Sequence, residues 1–264
     1  MNFEVLVCDD GSTDATCDVA AHFRGRLDVH FETAENFGGP GRPRNRGIDR
    51  ARAPYVAFLD SDDWWAPNKL EQCISILDSG YDIVYHDLYF VQTSSQTRFN
   101  KRIKSTNPIH PMFLALLCTG FSIPNSSAVV RKKLLKQIGG LSERRDLISF
   151  EDYDCWIRLS RLTDRFIRIP KCLGYYWGGG GNISSASAEQ VSRVRTLYAL
   201  YLKELSIVDQ HRAKGFLAYR IGRIADMYGN RKAAVKNLGI AMRYPIDIGY
   251  RAKAAYFIMR NMTC

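Results

Sequence analysis

Three short apolar runs, Phe3–Cys8, Leu27–Phe31 and Tyr55–Leu59, constrain the fold of this 264-residue chain more than any other feature. The first and third run straight into carboxylates, and stretches with helical spacing separate all three. Ala15, Val19, Ala20 and Phe23 recur on one helical face, with Ser12 or Thr13 placed to cap that helix. A glycine-rich segment leads into a short helix near Arg44–Arg52. Pro67 opens another, with Leu70, Ile74 and Leu77 inward. Buried strands alternating with helices as far as about residue 85 specify parallel strands joined by helical crossovers.

Beyond residue 85 the pattern is mixed. Ile83–Tyr85, Tyr89–Val91, Ser127–Arg131, 166–169 and 173–177 read as strands. Pro111–Cys118 and Tyr153–Arg161 read as helices, and a further short helix ends at Gly139-Gly140. After Gly178–Gly181 the texture becomes amphipathic helix to the C-terminus. This divides the chain into an α/β domain over residues 1–185 and a basic helical region over 186–264. Residues 193–264 hold 14 Lys and Arg against 4 Asp and Glu, the whole of the +10 net charge. A neutral body with a basic tail suits an anionic membrane or nucleic acid, or the tail is a solvated helical face; no nucleic-acid partner is expected. The tail's apolar residues, among them Ile246, Ile248, Tyr250, Tyr256, Phe257 and Ile258, stand beside Arg251, Lys253 and Arg260. They can pack on the body, or make a peripheral contact with an anionic membrane.

Composition excludes several classes. At 46% hydrophobic and 24% charged, the chain is neither disordered nor collagen-like. No run of 18 uncharged apolar residues offers a membrane span. The seven cysteines are scattered, without a CxxC pair, which points to free thiols and a cytoplasmic protein.

Four segments carry chemistry. In 58-FLDSDDWW-65 a buried strand emerges into three carboxylates within four residues. On an extended chain Asp60 and Asp62 face the same way, and two carboxylates so close repel unless a cation or proton intervenes. An oxygen-only set suits Mg²⁺ or Mn²⁺. The plainer alternative is that Asp62 or Asp63 caps the helix that Pro67 starts. In 8-CDDGSTD-14, acids at a strand's carboxyl end can meet a ribose hydroxyl or a base N–H, or can simply shape a turn. In 150-FEDYDCWIRL-159, acids opening a helix suit its dipole, and one of them can serve as a general base, with Asp154 as a rival candidate. Finally, 36-NFGGPGRPRNRG-47 is neither a P-loop nor a dinucleotide-binding turn, but Arg42, Arg44 and Arg46 can meet a diphosphate. Trp64, Trp65, Trp156 and Trp177 can stack on sugars, although core packing is the ordinary role of an aromatic.

The order VLVCDDGSTD, N-x-G-G…R-N-x-G, FLDSDD and ED-x-D-x-W closely resembles the family 2 inverting glycosyltransferases of the GT-A fold, over about residues 3–185. The resemblance implies an α/β/α sandwich on a mostly parallel sheet that binds a nucleotide-diphosphate sugar, a UDP-sugar first among candidates. It also implies a saccharide or lipid-linked acceptor, as in polysaccharide or cell-envelope glycan synthesis. Asp9 and Asp10 would face base and ribose, and Arg44 and Asn45 would join the donor site. Asp60 and Asp62 would hold the metal with Asp63 close to donor and metal, and Asp152 would be the catalytic base beside Glu151. Two departures stand out. The chain starts at Met1 without the family's first strand and helix, which implies an unpaired edge along Val5-Leu6-Val7, or a GT-A-like binding module without catalysis. The loop Tyr175–Asn182 lacks the His that many relatives carry there.

Overall fold

The computed structural model describes residues 2–180 and 183–263. It divides into two compact units, Met1–Asn107 with Ile123–Gly180, and Pro108–Ser122 with Gly181–Cys264. The segment 108–122, which the sequence pattern leaves in the mixed middle, thus belongs with the C-terminal helices.

In the first unit β1 (Glu4–Asp9) and β2 (Asp28–Thr33) pair in parallel as a two-stranded sheet. Among the described residues β1 has no other partner, and Val5, Leu6 and Val7 are only half-buried. A second sheet runs β3 (Tyr55–Ala57), β7 (Val129–Arg131), β5 (Ile83–Val91), β8 (Phe166–Trp177), β4 (Trp64–Trp65), with β6 (Arg102–Ile103) also on β5. The long pairings, β1–β2 and β5–β8, are parallel; of the three runs expected to be parallel, β3 instead pairs antiparallel with β7. The short ones, β3–β7, β5–β7, β5–β6 and β4–β8, are antiparallel. Strands β5 and β8 are each one element where the sequence suggests two, because the turn residues between the apolar runs are taken up as bulges in the ladder.

Ile83, Val84, Tyr85 and Leu88 on β5 are completely buried, as the middle of a sheet requires. Beneath them lies helix α3 (Lys69–Asp78), whose Cys73 and Leu77 join Val84, Val129, Ile169 and Leu173 in one cluster. The expected inward face, Leu70, Ile74 and Leu77, is rotated: Leu70 and Ile74 are half-buried, and Lys69 and Cys73 are inside. A lysine goes inward here because its Nζ lies 3.5 Å from the Trp65 ring centre, a cation–π contact that partly replaces water.

Two other helices differ from expectation. Helix α1 (Thr16–His22) starts after the expected caps: Asp14, not Ser12 or Thr13, accepts the Thr16 N–H at 3.0 Å. It buries Ala20 but leaves Val19 and Phe23 exposed. Helix α6 (Glu151–Leu159) begins two residues before Tyr153, which puts Glu151 and Asp152 in its first turn. Helix α2 (Gly41–Arg50) follows the glycine-rich loop, and α5 (Lys132–Gln137) follows β7.

The second unit contains α4 (Met112–Cys118), α7 (Ala188–Tyr201), α8 (Ile207–Met227), α9 (Arg231–Ala241) and α10 (Ile248–Thr263). Helices α8 and α9 approach closely at Gly222, where a Cβ would stand 2.7 Å from Leu238 Cγ. The tail residues split two ways. Ile246 is buried and Tyr250 packs edge-on against Phe216 and Tyr219, whereas Ile248, Tyr256, Met259 and Met262 are exposed. No helix among the described residues is long and apolar enough to cross a membrane.

Candidate functional site

The acidic turn follows β3 and leads directly into β4. Its backbone is clamped from both sides. The Asp60 N–H donates to Ser126 Oγ (3.0 Å), and the Asp63 N–H donates to the Asp60 carbonyl (3.0 Å). Asn125 Nδ2 donates to Asp60 Oδ1 (2.8 Å), and the Trp65 indole N–H to the Ser126 carbonyl (2.8 Å). Asp63 is buried; its Oδ1 accepts the Trp177 N–H (2.8 Å), while its Oδ2 is buried with no hydrogen-bond partner within normal geometry among the described residues. Neither Asp62 nor Asp63 caps α3, which begins after Asn68 without a side-chain cap. That removes the plain explanation for the extra acids.

Arg44 on α2 ties this turn to α6. One guanidinium nitrogen donates to Asp60 Oδ1 and the other to Glu151 Oε1 (2.6 Å). Glu151 is 3% exposed, and its Oε2 has no partner among the described residues. Asp152 beside it accepts only its neighbour's Tyr153 N–H (2.6 Å) among the bonds seen for its carboxylate. Burial first, then the Glu151 charge, holds Asp152 well above the ordinary carboxylate range, against the pull of Arg44. The rival Asp154 is committed elsewhere, accepting from Arg158 Nε at 2.7 Å across one helical turn.

The acids after β1 shape loops. Asp9 Oδ2 accepts from Gly11 N (3.0 Å), Ser12 N (3.0 Å) and Thr33 Oγ1 (2.6 Å), and these bonds, Ser12 foremost, hold its pKa at about 2. Gly11 has φ +85°, and a Cβ there would meet Asn36 N at 3.0 Å, so this turn needs glycine. Asp10 accepts from the N–H groups of Phe37 (3.1 Å) and Gly38 (3.0 Å), which anchors the glycine-rich loop to the β1 end.

Other expected donor contacts are used structurally. Asn45 bonds the Leu141 backbone in both directions (2.9 and 2.7 Å) and Glu143 Oε1 (2.9 Å), which spends both its amide hydrogens. Asn45 therefore ties α2 to the Leu141–Glu143 segment. Arg46 donates to the Asp9 carbonyl, and Arg42 is exposed over the Phe37 ring. The structure thus brings together Asp60, Asp62, Asp63, Arg44, Glu151 and Asp152, with Asp9 and Asp10 bracing the loop before α2.

The charge balance suits a cation. Burial, then Asp60, raises Asp62. Burial lifts Asp63 to about 6, with Asp60 and Asp62 adding repulsion. A divalent ion near Asp60 and Asp62 would relieve that repulsion, and an all-oxygen donor set is of the type Mg²⁺ or Mn²⁺ takes. The three carboxylates of the turn do not converge on a single point. The one tight three-residue group among the described residues is Glu4, Asp28 and His30, at the opposite strand ends and already engaged by Arg52. The residues that sequence reasoning missed are Asn125 and Ser126, in the short 3₁₀ turn Asn125–Ser127. Their signal was present: a polar, fully buried N-S-S between Pro124 and the apolar β7. The loop expected to want a His runs through residues 181 and 182, outside the described residues.

This α/β scaffold, with an acidic turn at a strand's carboxyl end facing a carboxylate-bearing helix, has the GT-A fold. Solved structures of similar shape include S. aureus TarS 1-349 (TM-score 0.61, 20% identity, 98% of this chain and 80% of that one), which has also been solved with UDP-GlcNAc. Another is the mannosyltransferase PcManGT from Pyrobaculum calidifontis, in complex with GDP-Man and Mn²⁺ (TM-score 0.57, 15% identity, 96% and 69%). The amylovoran biosynthesis glycosyltransferase AmsB from Erwinia amylovora is 31% identical over 188 residues. That match takes in 66% of this chain and 60% of AmsB's own length. The family model for glycosyl transferase family 2 matches residues 1–139, and the chain belongs to that family.

Proposed function

We propose that this chain transfers a hexosyl or related sugar from a nucleotide-diphosphate donor, a UDP-sugar first among candidates, to a saccharide or lipid-linked acceptor with inversion. Its setting would be polysaccharide or cell-envelope glycan synthesis, the process named for AmsB. The observation that carries the reading is Arg44, which joins two carboxylate groups of different character: the acidic turn and the first turn of α6.

Each group has its own task. Asp60 and Asp62 would hold Mg²⁺ or Mn²⁺ with Asp63 beside them, and the ion would supply positive charge to a departing diphosphate. Asp9, Asp10, Arg44 and Asn45 make the donor side, Asp9 and Asn45 acting through the loop and helix they pin. Asp152 is the base. Its raised pKa makes it a stronger proton acceptor than an ordinary carboxylate. It takes the acceptor hydroxyl's proton while the oxygen bonds to the anomeric carbon, and the bond from that carbon to the diphosphate oxygen breaks on the opposite face. Glu151, held by Arg44, keeps Asp152's pKa high.

A cytoplasmic protein at the inner membrane face suits this acceptor class. On α10 the exposed Ile248, Met259 and Met262 fall on one stripe, with Tyr256 beside it and Arg251, Lys253 and Arg260 flanking. That is the layout of a helix lying in an anionic interface.

The test is sugar-nucleotide turnover with Mn²⁺ or Mg²⁺ and with EDTA. Asp62→Asn should abolish divalent-dependent turnover while leaving cooperative unfolding intact. Asp152→Asn should lower kcat by about 10²–10⁴ with nucleotide-diphosphate affinity kept, since a base acts on the acceptor. Wild-type binding without turnover would instead assign the chain to non-catalytic binding modules.

A further inference from the structure

Of the four tryptophans, three are accounted for by packing. Trp156 is 1% exposed, Trp65 bonds Ser126 and covers Lys69, and Trp177 is half-buried with its ring against Gly179. Trp64 is different, at 40% exposed. A single exposed aromatic is ordinary on a protein surface. This one is held rigidly, flat, at the mouth of the acidic turn.

Register explains the rigidity. Across the sheet, Arg102 stands opposite Tyr89, Tyr89 opposite Tyr175, and Tyr175 opposite Trp64, so one row crosses β6, β5, β8 and β4. The Trp64 and Tyr175 rings stack at 5.2 Å and 14°, and Tyr175 meets Tyr89 at 5.5 Å. Phe99 abuts Tyr175 edge-on at 5.0 Å. Gly174 lets β4 come this close, since a Cβ there would lie 3.0 Å from the Trp64 carbonyl oxygen. Strand β4 ends the row, so Tyr175 covers one indole face and the other is the exposed one. Trp64 is two residues after Asp62, at most about 7 Å along the backbone.

We infer that the outward indole face of Trp64 is an acceptor subsite that takes a pyranose ring of a glycan. The inference rests on the glycosyltransferase reading for its placement beside the reacting sugar. The axial C–H face of a pyranose is flat and apolar, and it matches an indole held in a fixed plane. An acyclic polyol phosphate has no such face. A ring braced in advance loses little freedom when a sugar lands on it, which is what an affinity subsite needs.

The full chain would be titrated with oligosaccharides ending in glucose, galactose or N-acetylglucosamine, with ribitol phosphate as the acyclic control. Tryptophan fluorescence and saturation-transfer NMR read binding without turnover. At least one pyranose oligosaccharide should bind and ribitol phosphate should not. Trp64→Ala should weaken binding about three- to tenfold with the thermal midpoint kept, and Trp64→Phe should retain most of it. In turnover, the acceptor KM should rise by the same factor while the donor KM holds within about twofold. No pyranose binding, equal binding by Trp64→Ala, or a rise confined to the donor KM overturns the subsite. Saccharide binding that depends on Trp64 in a protein without turnover leaves the subsite standing and defeats the glycosyltransferase reading instead.

Discussion

Removing the Arg44 guanidinium while keeping its apolar stem, as in Arg44→Met, should strand two carboxylates at once. The Arg44 side chain is 16% exposed, Glu151's 4% and Asp60's 31%. Asp60 would keep Asn125 as a partner, but Glu151 would lose the bond to Oε1 when Oε2 already has none. Burial alone would lower the arginine's pKa; Asp60, Glu151 and Asp152 together drive it upward, so three carboxylates depend on this one cation. Breaking a buried pair from one side costs about 3–5 kcal/mol. Asp60's partial exposure trims its share, which leaves about 3 kcal/mol. At about 2–4 °C per kcal/mol for a chain of this size, the melting midpoint should fall by about 6–12 °C. Stranded carboxylates neutralise themselves by taking up protons, so the loss should be larger near pH 8 than near pH 5. The double variant Arg44→Met with Glu151→Gln should recover at least half of it. Differential scanning calorimetry at both pH values reads all of this. An unchanged midpoint, or a loss that Glu151→Gln does not reduce, refutes the bridging role.

Asp63 makes the second prediction. Burial raises its folded pKa to about 6 from an ordinary 3.8, so its stability contribution is present at low pH and lost as pH rises from about 4 to about 6. Without divalent ions the wild type should lose about 3 kcal/mol over that window relative to Asp63→Asn, and parallel urea midpoints for the two would count against it. For the tail, Ile248→Asp with Met259→Asp is a cleaner probe than deleting residues 245–264, which would also remove the buried Ile246 and Ala254. The pair should abolish salt-sensitive sedimentation with anionic liposomes and leave the melting midpoint unchanged; wild-type protein that ignores anionic vesicles makes α10 a packing element only.

How much of this was legible follows from the kind of signal each residue carries. Acids clustered where an apolar strand ends defy ordinary packing, so Asp60, Asp62 and Asp63 stood out, and so did Glu151 and Asp152 before a helical run. Register was not legible. Nothing in Trp64-Trp65 marks a two-residue strand, because β4 exists only through Gly174 and Tyr175, more than 100 residues downstream. Helix faces were misjudged where a polar residue goes inside by pairing with an aromatic. Lys69 reads as solvent-facing, yet it is completely buried, and burial drops its amine to about 7.

Buried polarity is also what ties the scaffold to the chemistry. Asn125 and the Trp177 N–H are neutral donors and the Ser126 hydroxyl is a neutral acceptor; they fix where the acidic turn sits without cancelling its charge. Arg44 cancels part of that charge, but it does so for Asp60 and Glu151 together, leaving Asp63 Oδ2 and Glu151 Oε2 unmatched. An apolar core of the same volume would be easier to stabilise. Under the proposed function, the unmet acceptors on either side of one arginine would be positions held ready for charge that arrives with ligands: a cation on the turn's side, and a proton on the side of α6. Under that function Asp152, rather than Asp154, which Arg158 engages, would be the carboxylate that takes that proton.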